Sequence, residues 1–162
     1  MSTALAAKMA ATARATESEL EALLDPAQPI PPRLLEPMRY AVLAAGKRLR
    51  PFLVAAAGEI AGAEPGACRR VGAAIELLHC YSLVHDDLPA MDDARLRRGR
   101  PACHRAYGEA VAILAGDALS ALAFEVLARD DWPCSDATRI RLVAGLGRAA
   151  GAMGMCGGQM LD

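Results

Sequence analysis

Aromatic side chains are scarce in this sequence. One Trp, three Tyr and two Phe make up 4% of its 162 residues, too few for the stacking platforms on which single-stranded nucleic acids lie. An excess of one charge is missing too. The formal net charge is −1, so no overall field draws the chain to nucleic acid or to an anionic membrane. The five cysteines (Cys68, Cys80, Cys103, Cys134, Cys156) contain no Cys-x-x-Cys pair. Their odd number speaks against a disulfide framework or a zinc site, and reduced, mostly buried thiols in a cytosol are expected. No long run is free of charge: the most apolar one, Ala110 to Ala128, contains Asp117 and Glu125. It reads as a buried helix, with no stable membrane insertion. Met1 to Arg14 is rich in Ala and Thr, with Lys8 and Arg14 and no acid. That composition would pass for a weak transit peptide, but it lacks a secretory apolar run, and an ordinary first helix is expected. No strand pattern stands out, which leaves an all-α class.

Ala and Leu are abundant, within a hydrophobic content of 54%. That composition favours helices packed closely through small side chains, in one domain with one core. A first helix is expected over 4–24, with Leu20, Leu23 and Leu24 inward and Glu17, Glu19 and Glu21 exposed. The Pro-rich segment 25–32 is a rigid connector. A second helix is expected from Arg33 to Ala45, striped by Leu34, Leu35, Met38, Val42 and Leu43, with Pro37 near its first turn and Gly46 as its cap. Pro51 opens a third helix through Ile60. A long helix from Ala67 to Asp87 carries Val71, Ile75 and Leu78 on its core face and is interrupted by Pro89. The Arg-rich segment to Pro101 reads as a loop or helix end. Another helix covers Glu109 to Ala128, and a last one runs from Asp136 through Gly-rich sequence to 157–162. The 110–128 helix is apolar nearly all round. It needs neighbours on every side, from a partner subunit or further chain. The sequence ends at Asp162 in mid-pattern, with no polar tail.

The charge that is present is concentrated. Asp86, Asp87, Asp92 and Asp93 fall within eight residues, and Arg95, Arg97, Arg98 and Arg100 follow at once. Two acids about 4 Å apart repel by about 4 kcal/mol at an effective dielectric near 20, so something positive must sit among them. Adjacent arginines or a divalent cation would serve. Residues seven apart share a helix face, which puts His79 and Asp86 together, with Ser82 between them and Asp87 beside. Asp92 would face away in an unbroken helix, but a break at Pro89 can swing it back beside Asp86. Carboxylates so placed can share Mg2+ and leave positions for water and phosphate. The arginines offer forked donors to a diphosphate. The plainer alternative is a solvated acidic turn neutralised by its own arginines. A second basic group, Gly46-Lys-Arg-Leu-Arg50, lies at a helix junction, and two cationic groups with one acidic cluster suggest two anionic substrates.

Two stretches carry a family resemblance: Met38-Arg-Tyr-Ala-Val-Leu-Ala-Ala-Gly-Lys-Arg-Leu-Arg-Pro-Phe-Leu-Val54 and His85-Asp-Asp-Leu-Pro-Ala-Met-Asp-Asp-Ala-Arg-Leu-Arg-Arg-Gly99. They resemble trans-isoprenyl diphosphate synthases, especially bacterial farnesyl diphosphate synthases. Ile113-Leu-Ala-Gly-Asp-Ala-Leu119 and Gly154-Met-Cys-Gly-Gly-Gln159 look like further blocks of that family. The resemblance implies a helical, usually dimeric fold around a deep cavity, in the cytoplasm. It implies head-to-tail condensation of isopentenyl diphosphate with an allylic diphosphate. Asp86, Asp87 and Asp92 would hold magnesium on the allylic diphosphate, with Arg97 on that same group. Lys47, Arg50, His79 and Arg98 would bind the diphosphate of isopentenyl diphosphate. Gln159 and Asp162 would lie on a helix near the cavity. Tyr81 and Ser82, on the helix below Asp86, resemble the floor that sets product length; a packed core aromatic is the alternative for Tyr81. The family's second Asp-rich motif does not occur in these 162 residues, which read as the N-terminal half of such a domain. Two other readings stay open: a noncatalytic partner subunit or remnant, and a class I terpene cyclase. The cyclase needs one diphosphate site, and Lys47, Arg50 and His79 argue against it.

Overall fold

The computed structural model describes residues 3–162. Helix α1 spans Thr3–Leu23, α2 Pro32–Val42, α3 Leu49–Ala61 and α4 Pro65–Asp86. A hairpin of two antiparallel two-residue strands follows, β1 Leu96–Arg97 and β2 Arg100–Pro101. Then come α5 Cys103–Tyr107, α6 Glu109–Ala128, α7 Asp136–Ala150 and α8 Met155–Gln159. The all-α expectation holds. Met1 and Ser2, the first residues of the Ala- and Thr-rich N-terminal segment, lie outside the described residues.

The helix starts follow local chemistry. Pro32 at the first turn of α2 lacks a donor that would go unused there. Glu64 accepts from the Ala67 amide at 2.8 Å to cap α4, and Ser135 accepts from Thr138 to cap α7. Gly62, with φ of 69°, ends α3 in the left-handed conformation that suits glycine.

The core gathers where α4 and α6 lie together. Leu20 from α1 and Leu24 just after it, Val42 from α2, Ala73, Ala74 and Leu77 from α4, and Leu119 and Val126 from α6 are buried together. Small residues at Ala73, Ala74, Ala115 and Ala123 let these helices approach closely. The core face of α4 is therefore not centred on Val71 and Ile75, which are only partly buried. It runs through the alanines, Leu77, Leu78, Cys80 and Val84. Glu17 and Glu19 are also less exposed than expected. Glu19 pairs with Arg70 at 3.2 Å, and Glu17 lies 3.7 Å from Arg48.

Three further expectations are corrected. Helix α2 ends at Val42, not Ala45, and Gly46 does not cap it. The buried Arg48 guanidinium reaches back instead, donating to the carbonyls of Val42 and Ala44 at 2.9 and 3.2 Å. The Arg-rich segment is a hairpin, too short for any alternation to mark it. The last helix is broken between Ala150 and Met155. A Cβ at Gly154 would stand 2.0 Å from the Ala149 carbonyl oxygen, so this bend requires glycine. The thiols are mixed: Cys80 and Cys103 are buried, and burial pushes both up to about 11, whereas Cys156 is exposed.

Candidate functional site

The long helix delivers Asp86 and Asp87 at its C-terminal end, and Pro89 prevents it from continuing. The chain turns back instead. The Asp92 amide donates to the Asp86 carbonyl at 2.9 Å, and the amides of Asp93 and Ala94 donate to the carbonyls of Leu88 and Asp87. Asp93 takes the left-handed conformation, φ 46°, which a short polar residue tolerates. Its carboxylate pairs with Arg105 at 2.6 Å. The turn thus brings Asp92 back beside Asp86, as the spacing suggested. Burial, then the charge of Asp92, raises the Asp86 pKa, with Arg97 pulling the other way. Burial and the neighbouring carboxylate both disfavour the charged form of Asp86, and a cation between the two acids would favour it.

Asp87 behaves differently. It is 2% exposed, and the Arg97 guanidinium grips it from two nitrogens: Nε stands 3.0 and 3.1 Å from the two carboxylate oxygens, and Nη2 also donates to Oδ1. A carboxylate engaged in this way has little capacity left for a metal. Among the described residues, no three carboxylate, histidine or cysteine side chains come together as a ready cation site. Asp86 and Asp92 are the pair whose surroundings suit Mg2+, because two carboxylates with open positions are the donor set that ion takes beside phosphate oxygens.

The second basic group is sorted by the fold. Lys47 and Arg50 are exposed, while Arg48 turns inward, buried and paired with the buried Glu76 at 2.9 Å. Arg98 leans on this segment. Its Nη1 donates to the Ala44 carbonyl at 3.3 Å, and a Cβ on Gly46 would meet that same nitrogen at 2.9 Å. His79 is half-buried between the two groups. Burial lowers its pKa most, then the charge of Arg50, with Glu76 opposing and Arg98 and Arg97 adding to the lowering. The structure therefore gathers His79, Arg50, Arg97 and Arg98 within electrostatic reach of one another. Arg97 and Arg98 approach from the hairpin, whose turn, Arg98-Gly99, has φ values of 53° and 76°, a geometry that suits a two-residue hairpin.

Below Asp86 lies an open cleft of about 490 Å³ between α4 and α8. Tyr81, Ser82, His85 and Asp86 line one side, and Met155, Cys156, Gln159 and Met160 the other. Tyr81 stacks edge-on against His85 with ring centres 4.8 Å apart, and burial followed by the Cys156 thiol raises its pKa. Ser82 donates to the His79 carbonyl at 2.9 Å. Gln159 reaches the cleft, whereas Asp162 is an exposed residue beyond α8. Sequence reasoning missed three supporting features: the Arg48–Glu76 pair; His85, which meets the Ile113 carbonyl at 3.1 Å across Gly116; and Tyr40, beneath the hairpin. Only the tight pairing of His85 with Gly116 left a trace, in the Ala-Gly-Asp run of α6.

A family model described as polyprenyl synthetase matches residues 31–162. The chain is 55% identical over 130 residues to a farnesyl diphosphate synthase of Escherichia coli (strain K12), covering 80% of this chain and 44% of that protein. It is 45% identical over 133 residues to a farnesyl diphosphate synthase of Geobacillus stearothermophilus, 82% of this chain and 45% of that one. An apo crystal structure described as an FPP/GFPP synthase from Zymomonas mobilis superposes with a TM-score of 0.93 and 43% identity, over all of this chain and 58% of the other. A geranyltransferase structure from Legionella pneumophila superposes at 0.90 with 43% identity, over 95% and 54%. The chain spans less than half the length of the E. coli relative.

Proposed function

The chain belongs to the polyprenyl synthetase family, and on that premise we propose that it serves the condensation of isopentenyl diphosphate with an allylic diphosphate, dimethylallyl or geranyl, to farnesyl diphosphate. One observation carries this reading. The turn after Pro89 returns Asp92 to Asp86, while an arginine hairpin leans on Ala44 and Gly46 and shares the surroundings of His79 with Arg50. One acidic pair and two cationic groups in so small a space match two diphosphates, one of them metal-bound.

In this reading Asp86 and Asp92 hold Mg2+, which when bound neutralises charge growing on the leaving pyrophosphate. Asp87 holds Arg97 in place, and Arg97 contributes its free donors to the allylic diphosphate. Lys47, Arg50, His79 and Arg98 receive the other diphosphate. The alkene of isopentenyl diphosphate attacks the allylic carbon as the carbon–oxygen bond to pyrophosphate breaks, and a proton leaves to give the product. The apolar side chains below Asp86 keep water away from the allylic cation, and Tyr81 limits how long a prenyl chain the cleft accepts. The outer face of α6, apolar at Val111, Leu114, Ala118 and Ala121 and continuous with Leu34 of α2, suits a second copy of the chain. This helix is long and apolar enough to cross a membrane, but its inner face is taken by α2, α4, α5 and α7. A homodimer would cover the outer face, and a packed inner face favours a cytoplasmic protein over one held in a membrane.

The test is incubation of the protein with labelled isopentenyl diphosphate, geranyl diphosphate and Mg2+, alongside direct binding of each substrate. Labelled farnesyl diphosphate and released pyrophosphate are expected. Binding of neither diphosphate would reject the reading.

A further inference from the structure

The hairpin that carries Arg97 and Arg98 has two residues per strand. Strands that short cannot hold their own geometry in water, and most of the hairpin is exposed. Something outside it must fix where the arginines stand. Arg97 is anchored by Asp87, and Arg98 touches Ala44. The return strand has a separate anchor, in the last turn of α2. The Tyr40 hydroxyl donates to the Pro101 carbonyl at 2.8 Å, and the Arg100 guanidinium lies 4.0 Å over the Tyr40 ring. The ring also meets Tyr107 of α5, edge-on with centres 5.2 Å apart and planes at 78°. A hydroxyl bond and a cation over the ring therefore converge on one side chain, in a chain with only three tyrosines.

We propose that Tyr40 is a positioning residue: it docks the hairpin on α2 and so sets where Arg97 and Arg98 meet a diphosphate. Tyr40 touches no substrate in this account. Its role rests on the diphosphate reading given above. Arg100 acts with it, its charge satisfied by the ring face and not by substrate, which separates it from the two arginines before the turn.

The test compares the intact chain with Tyr40→Phe, Tyr40→Leu and Arg100→Gln. Hydrogen exchange of the hairpin amides and tryptic cleavage after Arg98 report docking, and titration with inorganic pyrophosphate and Mg2+ reports the site. Tyr40→Phe keeps the ring and loses one hydrogen bond, so hairpin opening should rise about fivefold. Tyr40→Leu loses the stacking and the cation contact as well, and opening should rise about thirtyfold. Arg100→Gln, an exposed change that leaves the helices intact, should fall between them. Pyrophosphate affinity should drop in the same order while exchange in α4 and α6 stays unchanged. Partial rescue by Phe over Leu separates positioning from general loss of stability. Unchanged hairpin exchange in all three variants overturns the proposal, as does a loosened hairpin with wild-type affinity. A wild-type chain that binds no pyrophosphate overturns the functional reading itself, and this role with it.

Discussion

At His79, burial and the neighbouring arginines pull one way, against Glu76. Both hold its pKa below the ordinary 6.5, so the imidazole is neutral at pH 7. A base held low in the folded state binds fewer protons there than when unfolded. Its contribution to stability is therefore present above about 6.5 and lost as the pH falls through that value toward the folded one. A diphosphate bound beside it would reverse the shift by supplying negative charge. The advantage of the wild type over His79→Gln in pyrophosphate affinity should then grow as the pH is lowered below 6.5, read by calorimetry. A constant ratio would remove His79 from the anion's surroundings. Tyr81 faces the cleft with its edge against His85, and Tyr81→Ala opens that floor. Products longer than farnesyl are expected by chromatography of the reaction mixture, and an unchanged product distribution in an active enzyme would make Tyr81 ordinary packing.

At the scale of elements, α2 and the segment after it do more than fill the core. Arg48 pairs with Glu76 inside the fold and holds the carbonyls that end α2. Arg48→Ala would leave Glu76 buried and alone, at about 3–5 kcal/mol, seen as a lower urea midpoint. Gly46→Ala should differ sharply. Its new Cβ meets only the mobile end of Arg98, so stability should change by no more than about 0.5 kcal/mol while pyrophosphate affinity falls. These contrasts show what the sequence could and could not disclose. The long helices were legible because proline, glycine and capping residues bound strongly apolar segments, and the return of Asp92 was legible because Pro89 permits little else. The inward turn of Arg48 was not, since Lys47, Arg48 and Arg50 look alike in sequence and only burial against Glu76 tells them apart. Nor was the fate of Asp87, which follows from the hairpin: two-residue strands carry no alternation, and nothing local says that Arg97 folds back onto it.

The whole molecule shows a tension between α6 and the rest. The sequence of α6 is apolar nearly all round, yet α2, α4, α5 and α7 cover only its inner face. Leu119, Leu122, Val126 and Leu127 are buried, whereas Leu114 remains 59% exposed. Burying one such leucine stabilises by roughly 1.5–3 kcal/mol, and Val111, Ala118 and Leu34 lie beside it. Two copies meeting across this face through a twofold axis would bury each such residue twice. Leu114→Arg places a charge at the centre of that contact without disturbing the inner face of α6. Sedimentation of the wild type should give a dimer and of the variant a monomer, with the helical circular dichroism unchanged and the dimer restored by no increase in salt. A variant that stays dimeric would move the interface elsewhere. The same measurement bears on the site: α6 also supplies the Ile113 carbonyl and Gly116 that seat His85 beside Asp86. Loss of the partner should therefore loosen the acidic turn, read as faster amide exchange at Asp92, through a helix that touches both.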